Sequence, residues 1–408
     1  EPPELFLEIS EGCSEAWKQR KLPVITGIFR FLSLHWVALP CSRTQARGGA
    51  GRGAIGIDGT AATPASTGIV TLRFGRVTML WRMVWLARHN CQFSHMKKNM
   101  PPLLKTLLNS IQEDFGRPAS IHALIDAHPS LSIPLREPAR SIASSSVARW
   151  HEWGETSFNH WPHRNRGEVM GWRYASGAYS SFCVKREEFV NFGSCAITEG
   201  WECDIQDVTG LAASKSELKD FDTLDRMVET NSRKMIESIT AEKLRENLAW
   251  GEIRILHRDD PSDFFARYLW DDRVFLINSG GSHHFAAARY IAARIGSPVL
   301  LRGKLRTYAI NEMAVVSLQR DYEMFVIADT PNAALGFHDA MQRFRASYLW
   351  QYLPRPYLDC RAILLPKADA RSMKVATALH QARFFDLGLY LRGLVARQAN
   401  TQPSDSLL

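Results

Sequence analysis

Acidic residues are almost missing from one long stretch near the start of this sequence. Between Trp17 and Gln112 only Asp58 stands against 14 lysines and arginines. Residues 1–150 hold 18 basic and 10 acidic side chains, and the remaining 258 residues hold 32 of each, so the net charge of +8 belongs entirely to the first 150. A basic segment attracts nucleic acid or anionic lipid, and nucleic-acid binding is one reading of the N-terminal third. The same charge says nothing about the neutral remainder. Residues 43–66 lack hydrophobic periodicity and are rich in Gly, Ala, Thr and Arg, the composition of a linker. Residues 1–99 are therefore expected to be a basic leader, either disordered or foreign to the functional protein. Met79, Met83, Met96 and Met100 are alternative starts.

Other absences exclude whole classes. The seven cysteines form no CxxC pair, and an odd, scattered set argues against a disulfide framework. Free thiols fit a reducing compartment, so a cytoplasmic location is expected. Cys183, Cys195 and Cys203 read as structural thiols rather than metal ligands. No long apolar run is uninterrupted: residues 22–40 are broken by Arg30 and His35, and no membrane partner is expected. There is no P-loop, GxSxG or HExxH motif. Residues 51–56 match GxGxxG by letter, but no strand leads into them and 60–66 cannot form a good helix, so they are not a dinucleotide fingerprint. His160-Trp161-Pro162-His163 places two histidines three apart, but Pro162 argues against a helix, and no metal site is expected there.

What is present is the composition of a globular protein, 45% hydrophobic and 23% charged. Leu103, Leu104, Leu107, Leu108 and Ile111 recur at helical spacing and predict a helix over 101–115, with another turn over 121–127. Residues 150–210 are rich in Trp, Phe, Tyr and Gly and predict short strands broken by turns. A helical stretch follows over 220–250, with Thr240 as an N-cap. Residues 252–256 alternate and predict a strand. Asp271-Asp272 predicts a two-residue turn into a strand over 273–277. Further strands are expected at 299–301, 324–328 and 362–365, and helices at 333–352 and 372–387. The polar residues from Gln398 predict a disordered tail. The fold class is α+β, a mixed α/β arrangement, in four parts: the leader 1–99, a helical start with an aromatic β region over 100–210, an α/β domain over 211–397, and the tail 398–408.

The most informative stretch is Val274-Phe275-Leu276-Ile277-Asn278-Ser279-Gly280-Gly281-Ser282-His283-His284 and the alanine-rich segment after it. It reads as strand, glycine turn and helix. That order aims backbone N–H groups and a helix N-terminus at one point, where an anion can sit. Gly280, Gly281, Ser282, His283 and His284 are the candidate phosphate-binding residues, with Ser282 as a plausible N-cap. Histidines in a first helical turn are disfavoured as imidazolium, so a neutral His283 is the candidate base. Adjacent helical residues diverge by about 100°, so at most one of the pair faces the site squarely. The alternative reading is a capped helix and nothing more. Arg289, His257-Arg258-Asp259-Asp260 and the acidic cluster Glu199, Glu202, Asp204 and Asp207 read as solvated surface.

On these residues, 252–303 resembles the core of the ParB/sulfiredoxin-like superfamily. Gly281 matches the motif glycine, His283 its histidine, and His284 stands where arginine is usual. Ser282 occupies the place of the sulfiredoxin cysteine, which argues against that chemistry. The resemblance implies such a core with added helices and an aromatic-rich β region. It also implies a nucleotide or other phosphate ligand, with a nucleotide and Mg²⁺ as the cofactor and phosphoryl transfer or phosphodiester hydrolysis as the reaction if the protein is an enzyme. Residues 210–390 also resemble a bacterial family of unknown function. The rival is a non-enzymatic interaction module, with the aromatic region 150–210 as its partner surface.

Overall fold

The computed structural model describes residues 101–155, 165–258 and 262–401. The leader 1–99, His160 to His163, Asp259, Asp260 and residues 402–408 lie outside them. In chain order the elements are α1 (Pro102–Asp114), α2 (Ala119–Ala127), β1 (Glu168–Ala175), β2 (Ala178–Lys185), α3 (Glu187–Val190), β3 (Gly193–Asp204) and β4 (Val208–Leu211). Next come α4 (Leu224–Asn231), α5 (Ala241–Leu248), α6 (Arg254–His257), β5 (Phe264–Tyr268), β6 (Val274–Ile277), α7 (Ser282–Ile295) and β7 (Leu300–Ile310). The chain continues as α8 (Glu312–Asp321), β8 (Tyr322–Ala328), α9 (Pro331–Phe344), β9 (Tyr348–Tyr352), β10 (Cys360–Pro366), α10 (Ala370–Gln381) and α11 (Leu387–Thr401). The fold is α+β, as the sequence predicts.

The strands form two five-stranded sheets. The first, in the order β2-β1-β9-β10-β8, is antiparallel throughout. The second, in the order β3-β7-β5-β6-β4, mixes antiparallel pairs with the parallel pairs β5–β7 and β4–β6. The inner part of each sheet buries two faces, while β2 and most of β3 are exposed. In β8 and β10, Met324, Val326, Ala362 and Leu364 enter one apolar cluster, while Phe325, Ile327, Ile363 and Leu365 enter another. In the second sheet Ala266, Tyr268 and Phe275 join the first of these clusters. Phe265 and Leu276 pack instead with Phe285, Ala286 and Ile291 of α7. Successive strand residues point to opposite faces, so a strand covered on both sides reads as a continuous apolar run.

Several expectations are corrected. The boundary at 210/211 falls inside β4, and strands from both sides of it pair in each sheet. The aromatic residues Trp150, Trp153, Phe189 and Phe192 are core rather than surface, packed edge-on with centroids 4.8 Å apart between Trp153 and each phenylalanine. Tyr174 of the same region remains 42% exposed. Residues 252–256 are not a strand: α6 turns there, and Ile253 and Ile255 insert into the α7 core. The β5–β6 hairpin spans residues 269–273 rather than two residues, with Asp272 at φ 65°. The helix expected over 333–352 stops at Phe344, where Arg345 turns left-handed, and the aromatic run Tyr348–Tyr352 becomes β9 between β1 and β10. The strand expected at 299–301 continues to Ile310, and a second helix, α11, follows α10.

The tail is ordered further than its polarity suggests. Gln398 accepts from Ile310 N and donates to Ile310 O, both at 2.8 Å. It takes the next rung of the ladder beyond Tyr308, where β5 ends. Removing it leaves two backbone groups of a buried residue unmatched. Gln398→Ala should therefore lower stability by about 1–3 kcal/mol in urea unfolding. An unchanged midpoint would mean that this end of α11 carries no load.

Candidate functional site

The glycine turn leaves the second sheet at the C-terminal end of β6. Strand β4 runs parallel to β6, so residues 212–216 emerge at the same end. Asn278 joins the two segments. Its Oδ1 accepts from Ala212 N and Ala213 N, each at 3.1 Å, and its Nδ2 donates to Ala213 O and Gly280 O, each at 2.9 Å. All the polar capacity of this buried amide is used in that clip. Ser279 is tied below it, donating through N and Oγ to the buried carboxylate of Asp263 at 3.2 and 2.9 Å.

Gly281 has φ 67° and forms the N-cap of α7. A Cβ there would lie 2.8 Å from the backbone of Glu252 and Ile253, so both conformation and space demand glycine. Ser282 is consequently not the cap expected from the sequence. It is the first residue of the helix, buried, with its Oγ 2.9 Å from Ser214 Oγ. No side chain caps α7, and the amides of Ser282, His283 and His284 have no acceptor among the described residues.

The two histidines diverge as their positions on the helix require. His283 turns into a ring of serines. Its Nε2 lies 3.3 Å from Ser214 Oγ and 3.2 Å from Ser216 Oγ, and its Nδ1 meets Ser232 Oγ. Asn231 donates to Ser216 Oγ at 2.7 Å. His284 turns the other way. Its Nδ1 lies 3.1 Å from Asn247 Oδ1, and its ring stacks on Trp250 at 4.4 Å between centroids and 17° between planes. Burial, then the nearby Lys215 charge, holds the His283 pKa below the ordinary imidazole range. Burial also lowers that of His284, against the raising effect of Glu246. Both are neutral at pH 7, as helix position alone suggests.

These residues line a cleft of about 560 Å³. It holds all five candidate residues and adds Ser214, Lys215, Asn231, Ser232, Trp250 and Glu252. The added residues come from three segments that carry no motif, which is why sequence reasoning missed them. The chain 212–216 contains two serines and a lysine just beyond a strand, a signal visible only once β4 is known to lie beside β6. The weaker candidates are structural. Arg289 pairs with Asp225 at 3.0 Å and bonds Gln206 O. Asp204 and Asp207 form a reciprocal cap, while Glu199 pairs with Lys304 at 3.2 Å. His257 bonds Leu248 O at 2.7 Å. Cys183 and Cys195 are exposed, Cys203 and Cys360 buried, and no metal-binding cluster of His, Cys, Asp or Glu occurs among the described residues.

A histidine kept neutral by the fold makes the folded state bind protons less readily than the unfolded chain. Its contribution is complete above the unfolded pKa of about 6.5 and is lost as pH falls towards the lower folded value. Replacing His283 by Asn keeps a neutral hydrogen-bonding group and removes that titration. The variant should therefore lose less stability than the wild type between pH 7 and pH 5 in urea unfolding. Parallel pH dependences in the two proteins would show that His283 does not titrate differently on unfolding.

A family described only as a family of unknown function, DUF6685, matches residues 198–404. The match starts within β3 and runs through α11, so it contains the whole cleft. It leaves out β1 and β2, although β1 pairs with β9. No curated protein and no solved structure matches the chain. With just over half of its 408 residues inside that match, the chain belongs to the DUF6685 family of unknown function.

Proposed function

We propose that the cleft at residues 280–284 binds a small phosphate-bearing ligand. One observation carries this reading. Three helix amides without acceptors open α7 at the same cleft that takes Ser214, Ser232 and Ser282 and the exposed cation Lys215. Helix N-termini offer oriented donors and a positive dipole end to an anion. A lysine adds a mobile point charge, and hydroxyls can donate to the remaining oxygens. Lys215 has no ion-pair partner among the described residues, so its charge is available to a ligand. Glu252, the only carboxylate among the residues lining the cleft, lies against Gly280 and formally offsets Lys215, so the oriented amides and the hydroxyls carry the preference for an anion.

The resemblance of residues 252–303 to the ParB/sulfiredoxin-like core supports the same reading. Strand β6, the glycine turn, α7 and β7 follow in the order that this element requires. In that likeness the ligand is a nucleotide, with Mg²⁺ if the site turns over. Both ring nitrogens of His283 rest on serine hydroxyls. It is therefore better placed to orient those hydroxyls than to take a proton directly from a ligand. Binding is favoured over phosphoryl transfer or phosphodiester hydrolysis on this ground.

Thermal unfolding of the full chain with inorganic phosphate and with AMP, each with and without Mg²⁺, tests the proposal. A ligand at one hundred times its Kd should add about 2.7 kcal/mol to stability and raise Tm. Lys215→Ala should weaken the ligand about tenfold, the loss of one charge-assisted contact, and leave the unliganded Tm unchanged. Absence of any shift with every phosphate compound would sink the reading. Gly281 is the wrong position to probe for binding. Its Ala variant should cost about 1–3 kcal/mol of stability through backbone strain before any ligand is added.

A further inference from the structure

We infer that the cleft takes a nucleotide whose base stacks on Trp250, an inference that rests on the phosphate reading above. Trp250 follows α5, lines the cleft and remains 46% exposed. Of the large hydrophobic side chains exposed among the described residues, it is the one that lines this cleft. Here the ring is also held in place. One face lies against the His284 imidazole, nearly parallel to it. His284 is in turn fixed by Asn247, a buried amide whose Nδ2 donates to Met235 O at 3.0 Å and Lys243 O at 2.9 Å. With its nitrogen so committed, Asn247 presents Oδ1 to His284, which must donate through Nδ1. The chain Asn247, His284, Trp250 is a supported aromatic plate.

The position of the plate selects the ligand. His284 is the third residue of α7, and the unpaired amides belong to the same turn. Plate and anion cradle are thus neighbours on the wall of one cleft. A ligand that meets both is short, with a flat ring at one end and an anionic group at the other. A nucleoside monophosphate has that form; inorganic phosphate and sugar phosphates have no flat aromatic ring to stack. Met235 also lines the cleft and offers a soft apolar surface there. Stacking on an aromatic face tolerates any base, so the plate assigns the class of ligand and not a particular nucleobase.

Isothermal titration of the full chain with AMP, ribose 5-phosphate and inorganic phosphate, in the wild type, Trp250→Leu and Trp250→Phe, tests this. AMP should bind about tenfold or more tightly than ribose 5-phosphate to the wild type. Trp250→Leu should bring AMP to the level of ribose 5-phosphate and leave the affinity for ribose 5-phosphate unchanged. Trp250→Phe, which keeps a ring, should retain most of the preference. Equal binding of AMP and ribose 5-phosphate by the wild type, or a preference that survives Trp250→Leu, overturns the plate and leaves the phosphate site standing. Failure of all three compounds to bind removes the phosphate reading and this inference together.

Discussion

The parallel pairing of β4 with β6 is the constraint on which the cleft depends. Parallel neighbours end on the same side of a sheet, so the chain after Leu211 must arrive beside the chain after Ile277. That single register brings Ser214, Lys215 and Ser216 to a helix that begins more than sixty residues later. Asn278 then locks the arrival with four hydrogen bonds. The same rule places ligand sites at strand C-termini in open α/β sheets generally. Here it operates within a mixed sheet of two parallel and two antiparallel pairs.

The close fit of backbones at the turn is a second constraint with the same origin. The chain at Glu252 and Ile253 crosses directly over Gly281. Ile253 and Ile255 draw that segment down into the α7 core, and their burial keeps it there. A residue with a side chain at 281 would have to lift the segment and expose those isoleucines. The left-handed glycine is therefore fixed twice, by its own torsion and by what lies on it. This leaves Ser282 inside the helix, its hydroxyl free to join the serine ring instead of closing the helix end.

Neighbouring histidines with one sequence environment acquire two distinct roles because a helix turns. His283 gathers three hydroxyls, and His284 supports an indole. Burial keeps both neutral, and a neutral ring can both donate and accept. An arginine at 284 would bring a permanent charge and a fork of donors. The histidine brings a flat surface instead, and the wall of the cleft follows from that difference.

The strand, glycine turn and helix over residues 274–295 were legible in the sequence, because β-branched and aromatic runs, paired glycines and an alanine-rich period are local signals. So were α1, the Thr240 cap and the neutrality of the two histidines. The aromatic run 348–352 was misread as helix, since a strand buried on both faces has no alternation to reveal it. The short strands expected over 150–210 are present, but aromatic content says how much area a residue can bury, not against what, so the packing of Trp150, Trp153, Phe189 and Phe192 in the core was not legible. The serine ring, Lys215 and the exposed indole were beyond the sequence altogether. They come from segments far apart in the chain, and only strand pairing and helix packing decide which distant segments meet.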